Sequence, residues 1–219
     1  MLGALAVTAL DAALLALALG GIGPCLHHAR ALSLLGAWAV GGMVLALLRP
    51  VRTHEPIDSR AESPLTLLAL FVIPLITPPI AAASERMGFG TLPGGTALRW
   101  AGVLISAAGL AIRVAAMATL GSRFSPRIAI QRQHPLETRG LYAWVRHPGY
   151  LGAWLTTLGA AMAFGSGPAL ALVALMWMIL ELRMGREEAL LEQHFGDEYR
   201  RYRERSARFL PWRWPRSRP

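Results

Sequence analysis

The chain has 219 residues, 54% of them hydrophobic, and its 22 basic residues, all arginine, outnumber 13 acidic ones to give a formal charge of +9. That apolar share excludes an ordinary soluble domain and points to an integral membrane protein. The arginines crowd between and after the apolar runs, which favours anionic lipid headgroups over nucleic acid as partners. The lone Cys25 excludes an internal disulfide and a thiolate cluster holding a metal.

In chain order, four apolar runs of about 20 residues can cross roughly 30 Å of hydrocarbon: 2–22, 31–48, 65–83 and 98–120. No basic region precedes the first, so a retained transmembrane helix is expected there rather than a signal peptide. Glycine and alanine are abundant in these runs, which lets helices pack closely in lipid. The next two runs, 149–164 and 169–182, are separated by Gly165-Ser166-Gly167-Pro168 and predict a tight helical hairpin. Beyond it the sequence is charged, yet Leu191, Phe195, Tyr199 and Tyr202 recur on one face of an amphipathic helix with Gly196 as its weak point. Trp212 and Trp214 follow as headgroup-level anchors.

The expected fold is an all-α integral membrane protein, one domain over 1–219. Four transmembrane helices fill 1–120; the hairpin and a cytosolic amphipathic helix fill 121–211. Arginines concentrate in 49–63, 121–147 and beyond 182, whereas 23–30 and 84–99 hold only Arg30, Arg86 and Arg99. Because cytoplasmic loops retain basic residues, both termini and segment 121–147 are expected in the cytosol.

The stretch "LYAWVRHPGYLGAW", 141–154, places Tyr142, Arg146, His147 and Tyr150 where an apolar segment begins. One reading makes Arg146 and His147 interfacial anchors ahead of Pro148, a good first-turn residue. The other makes the stretch a binding site at the membrane surface.

"HPLETRGLYAWVRHPGYLGAW", followed beyond the hairpin by "REEALLEQHFGDEYRRY" and "RFLPW", resembles the isoprenylcysteine carboxyl methyltransferase family of integral membrane enzymes. The resemblance covers 131–211. It implies a pocket for S-adenosylmethionine built by the last helices and cytosolic segments, with a lipophilic or lipidated substrate entering between helices from the membrane. By matching positions, His134, Leu136, Gly140, Tyr142, His147, Tyr150 and Glu188 would line the cofactor site, with Glu187 an adjacent candidate. The wider superfamily includes phospholipid N-methyltransferases, so the resemblance names a cofactor better than an acceptor. The expected location is a bacterial inner membrane, with membrane lipids as surroundings and neither nucleic acid nor metal as a partner.

The chemistry suits these residues. Aromatic rings attract a sulfonium cation by about 0.5–2 kcal/mol. Methyl transfer is a displacement that the protein assists mainly by positioning and desolvating the reactants. A carboxylate acceptor calls for an arginine fork, which holds it bidentately. Arg146 and Arg113 are the candidates, and Arg113, inside the fourth run, either faces a polar cavity or snorkels. Carboxyl O-methylation of an isoprenylcysteine-like acid is the leading function. The alternatives are phospholipid amine or thiol methylation, or a nicotinamide-dependent membrane reductase of related architecture.

Other patterns carry less. Asp11 in the first run is expected to pair with another helix, and "GFGTLPGG" lacks the third glycine and preceding strand of a dinucleotide loop. His27 and His28 are adjacent rather than four apart, which argues against a metal pair. The run 200–208 reads as a headgroup-facing charge run.

Overall fold

The computed structural model describes residues 2–48, 56–59, 63–121, 129–131 and 136–210. Helix α1 (Leu2–Leu19) leads through a short α2 (Ile22–Leu26) into α3 (Ala29–Leu48), followed by α4 (Pro64–Met87) and α5 (Thr96–Leu120). Helices α6 (Pro148–Phe164), α7 (Gly167–Phe195) and α8 (Asp197–Arg205) complete the order. The four predicted runs appear as α1, α3, α4 and α5. The first helix stops at Leu19 because Gly20 and Gly21 adopt positive φ, 94° and 131°. Among the described residues α3, α4, α5 and α7 are long and apolar enough to cross a membrane. A two-stranded antiparallel ribbon, β1 (Pro56–Ser59) with β2 (Ala129–Gln131), joins segments distant in sequence. Neither strand is long enough to show the alternation by which one is recognised.

The hairpin forms, but its second arm continues well past residue 182. Helix α7 runs for 29 residues to Phe195, since the Leu, Glu, Arg and Met of its charged end are good helix formers. The predicted amphipathic helix is therefore divided: its first half is the end of α7, and Gly196, at φ 53°, turns the chain into α8. Asp197 and Glu198 in the first turn of α8 and Arg203 and Arg205 in its last match the helix dipole. Leu190 rather than Leu191 is fully buried, together with Tyr199 and Tyr202. Burial pushes both phenols well above their ordinary range.

Helices α5 and α6 make the closest contact, through glycines seven residues apart on each. A Cβ at Gly109 would lie 2.5 Å from Thr156 N, and one at Gly152 would lie 2.6 Å from Arg113 N. The two backbones touch, as small residues allow in lipid, and this contact sets Arg113 against the first turn of α6.

The opposite end of the bundle is closed by charge. Glu85, at the end of α4, accepts from Arg30 at 2.8 Å and from Arg99 at 2.6 Å, with His28 Nε2 3.3 Å away. Arg30 also donates to Ala163 O and Arg99 to Phe164 O, the terminal carbonyls of α6. Helix C-termini leave such carbonyls without intrahelical partners, and cations satisfy them.

Candidate active site at the start of α6

Pro148 opens α6 at its first position, with His147 as the N-cap residue. Proline is preorganised for that place. The preceding turn, Gly140–Ala143, is a 3-10 helix entered by Gly140 at φ 55°. Tyr202 on α8 donates to Tyr142 O at 2.7 Å, which pins this turn to the last helix.

His147 is 5% exposed. Its ring stacks on Tyr150 with centroids 5.5 Å apart and planes 7° from parallel. Two carboxylates of α7 reach this pair. Glu188 Oε1 lies 3.2 Å from His147 Nε2 and accepts from Arg146 Nε at 2.8 Å. Glu187 Oε2 accepts from Tyr150 OH at 2.7 Å and lies 3.8 Å from His147 Nδ1. Both glutamates singled out in sequence therefore lie against the start of α6, Glu188 on Arg146 and His147 and Glu187 on Tyr150.

Arg146 is consumed by its partners. Besides Glu188 it donates Nη1 to Arg203 O at 3.1 Å and to Ser206 O at 2.5 Å. Arg113, half-buried, faces inward rather than snorkelling: its Nη1 donates to Gly149 O at 3.2 Å in the first turn of α6. Sequence reasoning missed Arg183. It is 4% exposed, donates Nε to Tyr150 OH at 2.7 Å and places its guanidinium 5.5 Å from the Tyr150 ring centre. The available signal was a charge immediately after Leu182, at the edge of a span, where such residues are costly unless they serve something. Leu136 is half-buried and Gly140 exposed, both on the approach to the helix start. His134 lies outside the described residues, as do Trp212 and Trp214.

The fold and this cluster define a predominantly helical integral membrane protein in which polar and aromatic side chains of α5, α6 and α7 gather around the first turn of α6. Residues 101–193 match the family model described as the isoprenylcysteine carboxyl methyltransferase (ICMT) family, a match that takes in the motifs as far as residue 193 and reaches back into α5. A protein-S-isoprenylcysteine O-methyltransferase of Schizosaccharomyces pombe is 38% identical over 103 residues, 46% of this chain and 44% of that one. The enzyme of that name from Homo sapiens is 34% identical over 116 residues, 51% of this chain and 40% of its own. A probable one from Oryza sativa subsp. indica is 33% identical over 116 residues, 52% and 61% respectively. The chain spans about half the length of the curated relatives it matches. A solved structure of a eukaryotic intramembrane Ras methyltransferase, ICMT, superposes with a TM-score of 0.55 at 22% identity, covering 84% of this chain and 67% of that one. That likeness is one of fold.

Proposed function

We propose that this protein transfers a methyl group from S-adenosylmethionine to a carboxylate on a lipophilic, membrane-held acceptor such as an isoprenylcysteine. The cluster fits that donor. Glu187 offers negative charge beside the stacked His147 and Tyr150, and Glu188, ion-paired with Arg146, steadies the His147 ring, which suits a molecule carrying ammonium and sulfonium charges. Bound there, S-adenosylmethionine supplies a methyl carbon activated by positively charged sulfur. Tyr142, His147, Tyr150, Glu187 and Glu188 would hold it, with Leu136 and Gly140 at the rim and His134 contributed by the preceding segment.

The observation that carries the acceptor reading is the pair of arginines on Tyr150. Arg183 bonds the phenol, and Arg113 bonds the carbonyl of the residue before it. Planar guanidinium forks grip a carboxylate in two places. Arg146, already spread over a carboxylate and two carbonyls, serves to hold the site together. The relatives named above are methyltransferases by name, which favours this reading over nicotinamide-dependent reduction.

Incubation of the purified protein with radiolabelled methyl donor and a prenylated cysteine should yield a base-labile labelled ester. Base-stable label in a membrane lipid extract, on nitrogen or sulfur, would overturn the carboxylate assignment. We place the site on the cytosolic face of a bacterial inner membrane because arginines crowd that end in sequence. Cys25 is buried, so a Ser122→Cys probe can be labelled over a low background; labelling from the outside would overturn this orientation.

A further inference from the structure

Glu188 is held from one further side, by the segment that follows α8. Ala207 pairs with Val145 as an isolated parallel bridge. Arg146 N donates to Ala207 O and Ala207 N to Trp144 O, each at 2.8 Å. Phe209, 4% exposed, stands edge-on to Trp177 at 4.5 Å and to Trp154 at 6.0 Å, in the geometry aromatic pairs prefer. Backbone pairing on one side and a buried ring on the other fix the residue between them. That residue is Arg208.

Arg208 spans two carboxylates of α7 that lie seven residues apart and therefore share a helix face. Its Nη1 bonds Glu181, and its Nε lies 3.3 Å from Glu188 Oε2. The Nε–H makes no hydrogen bond, so its hold on Glu188 is one of charge rather than direction. Glu188 thus gives Oε1 to Arg146 and His147 and Oε2 to Arg208. Each carboxylate oxygen has a cation on it, which fixes the plane of the group.

We propose that Arg208 is a positioning residue of the donor site: by neutralising the outer oxygen of Glu188 it keeps the inner one on Arg146 and His147. The inference rests on the donor-site reading above. Without Arg208 the remaining partners, the Arg146 guanidinium and the His147 ring, both lie on Oε1, and Oε2 is a bare negative charge free to turn toward them. His147 then loses a fixed partner, and the stacked pair it forms with Tyr150 loses its support.

The test is calorimetric titration of the detergent-solubilised full chain with S-adenosylmethionine. Arg208→Ala is expected to weaken donor binding about tenfold. Arg208→Lys, which keeps the charge, should stay within about threefold of wild type. Glu181→Gln loosens the same segment without touching Glu188 and should stay within about twofold. Arg208→Ala combined with Glu188→Gln should bind no more weakly than Glu188→Gln alone, as residues acting through one another are non-additive. Wild-type affinity in Arg208→Ala, with wild-type binding intact, overturns the inference, and so does an equal loss in Glu181→Gln, which would make seating of the segment the whole effect. A wild-type titration without binding overturns the donor reading itself, and the two failures are told apart by that first trace. Thermal midpoints of all variants, read beforehand, identify any that fail to fold; should Arg208→Ala be one, Arg208→Gln, which keeps a polar side chain without the charge, carries the comparison, with the same loss of about tenfold expected and wild-type affinity overturning the inference.

Discussion

The two ends of the helical bundle are both built from arginines and glutamates, and they differ in how the charges are balanced. At the end away from the motif, one carboxylate, Glu85, takes Arg30 and Arg99, and both arginines also donate to the last carbonyls of α6. The donors there are spent on backbone and carboxylate. At the motif end Arg146 and Arg208 are likewise matched to Glu188 and Glu181. Arg113, however, bonds a carbonyl, Gly149 O, and no ion pair of Arg113 is present among the described residues. A half-buried cation against a touching helix pair is expensive unless an anion visits it. One end therefore reads as closure and the other as a place prepared for a ligand.

The largest expected break in that comparison comes from Arg113. If it grips the acceptor's carboxylate, Arg113→Ala removes a charged partner in a dry site, which costs roughly 2–5 kcal/mol. Made in the transition state, that contact is worth about thirty- to several-thousand-fold in rate. Arg113→Lys keeps the charge but loses the planar fork, and should recover only part of the activity. Donor affinity, assigned to the glutamates of α7, should remain near wild type. Steady-state methyl transfer and donor titration on the same preparations check both halves; normal turnover in both variants would return Arg113 to a purely packing role.

The closed end should respond in stability instead. Glu85→Gln leaves two arginines with one neutral partner, and an unmatched polar group in a partly buried place costs about 1–3 kcal/mol. The thermal midpoint in detergent should fall, while methyl transfer per folded molecule stays within about twofold. A loss of turnover without a loss of stability would show that this end, too, takes part in the chemistry.

What was legible in sequence follows from the same contrast. His147, Tyr150, Glu188 and Arg113 could be named because the motif fixes the first three and a charge inside an apolar run marks the fourth. Arg183 sits one residue beyond such a run, where an arginine ordinarily reaches headgroups; only the folding of α7 onto α6 turns it onto Tyr150. Arg208 was hidden in a charge run that reads as solvated surface. The Glu85 cluster draws on residues 28–30, 85, 99 and 163–164, and no local pattern announces a contact assembled from so many separate segments. The end of α7 was misplaced because hydrophobicity reports where lipid stops, not where the helix does.

The finest comparison lies within α7 itself, between Glu188 and Glu192, one turn apart. Glu188 has a side chain 12% exposed, shared among Arg146, His147 and Arg208. Glu192 pairs with Arg203 at 2.9 Å and with Arg200 at 4.0 Å, and its side chain is 35% exposed, beside arginines at 46% and 56%. Surface pairs of that kind contribute about 0.2–1 kcal/mol, because water screens them and two long side chains must be immobilised. Replacing either glutamate by glutamine removes the same formal charge from the same helix, so any general electrostatic effect on a positively charged donor is common to both. Glu188→Gln should weaken donor binding by about tenfold, a change of about 1.4 kcal/mol, whereas Glu192→Gln should shift it less than twofold and leave the thermal midpoint nearly unchanged. The Glu192 pair also bridges α7 to α8 across Gly196, so a small loss of rigidity there is expected, too small to reach the site through Tyr202. Equal weakening in both variants would mean that the field of the charged helix end, rather than a shaped pocket around Glu188, attracts the donor.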